Sequence, residues 1–151
     1  MSFVSVSDVI DGLHERFLTV DGFAKYNDAG ALVNMVRYEP RAIAVFPFLY
    51  TLLDKFERSQ AGQITTMRYR ILHRVVLQWQ DNDQSEQQML AWVHPFCAAI
   101  DADPTLGGRV ALGMATMAEA STGFASISGT KYRVIDFFSS TLTKAAVRSG
   151  I

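Results

Sequence analysis

The sequence predicts a single α+β domain: one sheet of about four mainly antiparallel strands, helices packed on one face, and the order α-β-β-α-β-β. Three observations carry this. Met67 to Gln80 alternates residue by residue between two chemically different faces, the period of a half-buried strand. Ser7–Leu18 and Gln84–Ile100 instead place apolar residues at helical spacing. The other strand-like runs stand next to one another on either side of the second helix, which suggests two hairpins with the helices free to cover one side.

In the first helix, Val6, Ile10, Leu13 and Phe17 share a face, Ser7 is the expected N-cap, and Asp8 suits the positive end of the helix dipole. Gly12 interrupts this pattern at a propensity cost of about 1 kcal/mol. Residues 19–40 carry little periodicity. Tyr26-Asn27-Asp28-Ala29-Gly30 reads as a turn, and Ala31–Arg37 fits a short helix and an extended piece equally. Pro40 biases Glu39 toward extended geometry. Ala42–Tyr50 reads as a strand that Pro47 confines to a sheet edge or a bulge, and Arg58–Gln63 as a polar connection.

In the long strand, Met67, Tyr69, Ile71, His73, Val75, Leu77 and Trp79 share one face; Arg68, Arg70, Leu72, Arg74, Val76, Gln78 and Gln80 share the other. At ~3.3 Å per residue such a strand must project beyond a small core or be covered by a neighbour. The second helix has Ser85 and Gln88 at capping-box spacing and Met89, Val93, Phe96, Cys97 and Ile100 along one side; Pro95 is expected to kink or split it. Val110, Leu112 and Met114 alternate in the next strand. Thr122–Thr130 reads as a Gly/Ser-rich connection, and Tyr132–Leu142 as the last strand.

The chain has 151 residues, enough for one domain (1–151) with its own core. Its 14 basic and 15 acidic residues argue against a dedicated nucleic-acid binder, which carries a basic surplus. Cys97 is the sole cysteine, so no internal disulfide is expected and a reducing compartment suits the chain. Neither a signal peptide nor a membrane span is expected.

Motifs of catalysis do not stand out. His14, His73 and His94 are dispersed, and His73 on the apolar strand face reads as a satisfied core histidine. His94 and Cys97 stand three apart on a helix without further ligands to complete a metal set. Asp101 and Asp103 could hold a cation, but their place before Pro104 reads as a turn. Gly107-Gly108 lacks the rest of a phosphate loop, so no catalytic residue, cofactor or metal is expected. Arg68, Arg70 and Arg74 project from one strand face and suit a solvated surface, a subunit interface or phosphate contact.

The run Asp101-Ala102-Asp103-Pro104-Thr105-Leu106-Gly107-Gly108-Arg109-Val110 resembles the "aDptLgG-v" signature of siphophage tail terminator and minor tail-completion proteins. An amphipathic helix before it, a strand after it, and Gly129 and Tyr132 leading into a last strand extend the similarity to roughly residues 40–143. The resemblance implies a non-enzymatic virion protein that assembles in the host cytoplasm. It would form a ring with itself, usually a hexamer, on the head-proximal end of the tail tube. That ring would stop polymerisation of the tube protein and dock the head completion (stopper) proteins, with DNA passing through its centre. Another neck component, a head-tail connector or stopper, is the nearest alternative; a small ligand-binding or hydrolytic α+β domain is the alternative from a different class.

Overall fold

The period-two segment forms the middle of the sheet. In the computed structural model, which describes residues 4–78, 82–110 and 114–146, the elements are α1 (Val6–Leu18), β1 (Met35–Val36), β2 (Phe48–Ala61), β3 (Ile64–Leu77), α2 (Asn82–Asp101), β4 (Met114–Ile127) and β5 (Thr130–Ala146). The sheet order is β1-β2-β3-β5-β4. β2 with β3, β3 with β5 and β5 with β4 pair antiparallel, whereas β1 pairs parallel to β2. The protein is therefore α+β with both expected hairpins. The sheet is mixed and has five strands rather than about four, in the order α-β-β-β-α-β-β.

The added strand comes from the stretch that fitted helix and strand equally. Buried Asn34 decides it. Its Nδ2 donates to the carbonyls of Phe23 and Pro47, each at 2.8 Å, and its Oδ1 accepts from the Lys25 amide. These partners lie elsewhere in the chain, and holding all three sets Met35–Val36 beside β2.

Other boundaries move for local reasons. Ser5, not Ser7, caps α1, its side chain accepting from the Asp8 amide at 3.1 Å. The first long strand begins at Phe48, after Pro47, and runs through the polar stretch that had read as a connection; only Gly62 and Gln63 turn the hairpin, with Gly62 at φ 62°. Thr122–Ile127 likewise belongs to β4. The connection shrinks to Ser128-Gly129, whose φ values of 50° and 83° are those of a two-residue primed turn. Val110 lies in the turn before β4, which starts at Met114; Leu112, Trp79 and Gln80 lie outside the described residues. Helix α2 begins at Asn82, ahead of the Ser85/Gln88 pair, and continues as one helix through Pro95.

Both helices pack on one face. Val9, Ile10, Leu13 and Phe17 of α1 and Met89, Phe96, Ala99 and Ile100 of α2 form one core with Leu49, Tyr69, Ile71, Val75, Leu77, Ile135 and Phe137 from the sheet. A second, smaller cluster lies on the opposite face: Ile43 from the segment before β2 packs there with Phe48, Tyr50, Val76, Ile127 and Val134. That segment covers one end of this face and leaves the rest open.

The turn after α2 fastens α1 to the core. Leu106 sits at φ 54°, a left-handed conformation that costs a leucine about 1–2 kcal/mol, yet its side chain is buried in the core. Burial of a leucine contributes roughly 1.5–3 kcal/mol and offsets that cost. Gly12 makes room: a β-carbon there would meet the Leu106 Cβ at 2.7 Å. Nearby, Arg109 grips both oxygens of Glu15 at 2.8 and 2.9 Å, a second tie from turn to helix. Gly12→Ala is expected to destabilise the protein by about 1–3 kcal/mol in urea unfolding, because overpacking outweighs the gain in helix propensity.

Candidate functional site

Strand alternation aims Arg68, Arg70 and Arg74 at the face opposite the helices, as the sequence predicts, but their partners differ. Arg74 lies opposite Asp136 in the β3–β5 register. Its Nε and Nη2 donate to the two carboxylate oxygens at 2.6 and 3.0 Å, and its Nη1 donates to the Tyr50 hydroxyl at 3.0 Å. This planar, charge-assisted grip holds the Arg74 proton more firmly than usual. Burial pushes the Tyr50 hydroxyl pKa up, against the opposing effect of Arg74.

Arg70 spans most of the sheet. Its Nε donates to Asp54 on β2 at 3.1 Å, its Nη2 donates to Glu119 on β4 at 3.0 Å, and its guanidinium lies 4.2 Å from the ring centroid of Phe138 on β5. Both carboxylates sit at bulges, where the register shifts between Leu53 and Lys55 and between Met117 and Glu119. An extra residue swaps the faces of everything beyond it. The shift at Ala118 turns Glu119 to the arginine side; unbroken alternation would have put it on the helix side with Ala115 and Met117.

Arg68 stands apart. Its Nη1 donates to the Ser140 hydroxyl at 3.0 Å, and no carboxylate pairs with it among the described residues. It borders a shallow hollow of about 200 Å³ with Lys55, Glu57, Arg70, Ala118 and Ser140. Of the three arginines, Arg70 and Arg74 bind carboxylates of their own chain, whereas the exposed Arg68 holds only the Ser140 hydroxyl.

The Asp101–Gly108 stretch forms a self-contained turn. Asp103 accepts from the Thr105 hydroxyl at 2.9 Å and the Gly107 amide at 2.8 Å, which holds its carboxyl below the usual carboxylate range. Asp101 ends α2 and is exposed, Pro104 passes its carbonyl to the Ala115 amide at 2.8 Å, and Gly107 and Gly108 take φ of 70° and 85°. The turn therefore joins α2, α1 and β4. His94 is exposed, and burial raises the Cys97 thiol pKa. Among the described residues, no group of three or more His, Cys, Asp or Glu stands close enough to hold a metal.

Beneath the helices runs a chain of hydrogen bonds that sequence reading did not assemble: His14 Nε2 to Thr51 Oγ1 at 2.7 Å, Thr51 Oγ1 to His73 Nδ1 at 3.0 Å, and His73 Nε2 to Ser139 Oγ at 2.8 Å. It links α1, β2, β3 and β5. Thr51, His73 and Ser139 are buried, so the chain satisfies core polar groups. Burial lowers His14 to about 4 and His73 well below its ordinary value, with the charge of His14 adding to the effect on His73.

No family model and no curated protein matches the chain. Among the described residues no helix is long and apolar enough to cross a membrane. The fold defines the class: an open-faced α+β domain whose exposed sheet face is laced by arginine–carboxylate contacts.

Two predictions follow from these contacts. Arg74→Ala leaves the half-buried Asp136 without its cation and is expected to cost about 1–3 kcal/mol in urea unfolding, whereas Arg68→Ala stays within about 0.5 kcal/mol of the parent. The second concerns acid. Both histidines are neutral in the fold and titrate near 6.5 when unfolded, so the unfolded chain binds more protons and stability falls as pH drops from 6.5 toward about 4. Each histidine contributes up to about 1.4 kcal/mol per pH unit in that window. His14→Gln keeps a hydrogen-bonding side chain next to Thr51 and is expected to lower the slope by about half, read from urea midpoints across the window.

Proposed function

We propose that this is a structural protein of a long-tailed phage or phage-like particle. It forms a ring on the head-proximal end of the tail tube, ends polymerisation of the tube protein and presents the docking surface for the head completion (stopper) proteins. The order of parts around the signature carries this reading. An amphipathic helix, α2, leads into the Asp103–Gly108 turn; strand β4 comes next in the order of elements, then the Ser128-Gly129 turn and β5 with Tyr132 near its start. This is the succession that the resemblance implies. The self-locked turn also gives the signature residues a physical task, since Leu106 anchors α1 and Pro104 anchors the start of β4.

A terminator needs two different axial faces and a lateral contact that closes on itself. A sheet with two oppositely directed hairpin tips supplies distinct ends: Gly62-Gln63 lies at one end and Ser128-Gly129 at the other. Arg68, the outward-facing member of the arginine row, is the one suited to contact a neighbouring subunit. The protein acts in the virion tail or neck, without a cofactor, and DNA crosses the lumen of the ring during ejection.

Electron microscopy of particles lacking this gene tests the reading. Overlong tails without heads are the expected outcome. Normal-length free tails beside filled heads would reassign the protein to head–tail joining, and unaltered infectious particles would remove the structural role.

A further inference from the structure

The sheet has two free edges. On β2 the partner strand β1 covers only Leu49 and Tyr50, so the outer edge from Thr51 to Ala61 meets no strand among the described residues. On β4 the outer edge likewise meets no strand among the described residues; only its start is tied, where the Ala115 amide donates to the Pro104 carbonyl. Exposed edges are normally blunted by lysine, proline or inward charge. The β2 arm follows this rule with Asp54, Lys55, Glu57, Arg58 and a bulge. β4 does so less: it too carries a bulge, at Ala118, but its fourteen residues include no lysine, arginine or proline, and its one charge, Glu119, is drawn onto Arg70 of its own sheet.

Exposed apolar side chains gather on the same two edges. Leu53 and Phe56 on β2 are 41% and 60% exposed; Met114 and Phe124 on β4 are 56% and 48% exposed. The bulge at Asp54 places Leu53 and Phe56 on the same side of the arm, since Leu53 pairs with Ile71 and Phe56 with Tyr69. The two edges lie at opposite sides of one sheet.

We infer that the outer edge of β4 in one copy pairs with the Thr51–Ala61 edge of β2 in a second copy, so that the sheet continues from subunit to subunit. The occupant is a second copy because the two bare edges complement each other. A symmetric β4–β4 pair would leave the β2 edge bare, and a β2–β2 pair would leave the β4 edge bare; β4 against β2 gives both rows of backbone groups a partner and sets Phe124 on the helix side of the continued sheet, where Leu53 and Phe56 also lie. This contact is head-to-tail, so each copy keeps one donor and one acceptor edge, and repetition closes a ring or extends a filament according to its rotation. As the lateral contact of the ring proposed above, it rests on that reading.

The test uses full-length protein with Cys97→Ser and one introduced thiol: Ser59→Cys on the β2 arm in one preparation, and Thr122→Cys on β4 in a second, mass-tagged preparation. Both positions are exposed. The two are mixed over a concentration series and treated with a short bismaleimide. Mixed β2–β4 cross-links are expected as the dominant dimer. Dominant β4–β4 cross-links, or no mixed product at any concentration, would overturn the proposal. Adding Ala120→Lys to the Thr122→Cys protein is expected to abolish the mixed product while the circular dichroism spectrum stays unchanged; an undiminished yield would also overturn it. Mixed cross-links from a protein whose loss leaves tails unaltered would keep this contact and remove the tail reading. Overlong tails without mixed cross-links would do the reverse.

Discussion

Helices cover only one side of this sheet, and everything else in the molecule answers to that. A strand buried on one side must present apolar atoms to the core on alternate residues and water-compatible atoms between them. β3 does this along its length: Tyr69, Ile71, His73, Val75 and Leu77 are buried toward the helices, while Arg68, Arg70 and Arg74 stand on the other side. The open side then needs its own order. Arg74 with Asp136 and Tyr50, and Arg70 with Asp54, Glu119 and Phe138, provide it by crossing from strand to strand where no helix lies above.

The two bulges belong to the same economy of faces. β2 and β4 carry one each, at Asp54 and at Ala118; the second turns Glu119 to Arg70, and Asp54 meets Arg70 at the first. The bulges also set the character of the edges: beyond Asp54, charged Lys55 and Glu57 join the arginine side and Phe56 turns to the helix side. A polar surface, a charged arm and an apolar edge residue thus come from one inserted position. On the covered side, the His14–Thr51–His73–Ser139 chain satisfies polar atoms in the core and ties α1 to three strands.

The turn after α2 connects these two sides of the architecture. Leu106 pins α1 through the space left by Gly12, and the Pro104 carbonyl starts β4. The most recognisable stretch of sequence is therefore a mechanical joint between the covered face and the edge strand. A phage-tail reading gives that joint a use, since a ring subunit must hold its edge strand at a fixed angle to its body.

Period and spacing in the sequence determined the α+β class, the face-sharing of β3, the one-sided placement of the helices and the turn at Asp103–Gly108, because these depend on neighbours within a few residues. Tertiary structure decided the rest. The stretch containing Asn34 became a parallel strand only because its side chain binds carbonyls of Phe23 and Pro47 from other parts of the chain. Arg58–Ala61 and Thr122–Ile127 joined the sheet although their polar and small residues resemble loops, because they pair with strands of stronger propensity, and strand preference is set largely by such pairing. Which arginines bind carboxylates could not be read locally, since Asp54, Glu119 and Asp136 lie 16, 49 and 62 residues from their partners and reach them through register and bulges. The strand-free edge of β4 became visible only once the strand order placed it outermost.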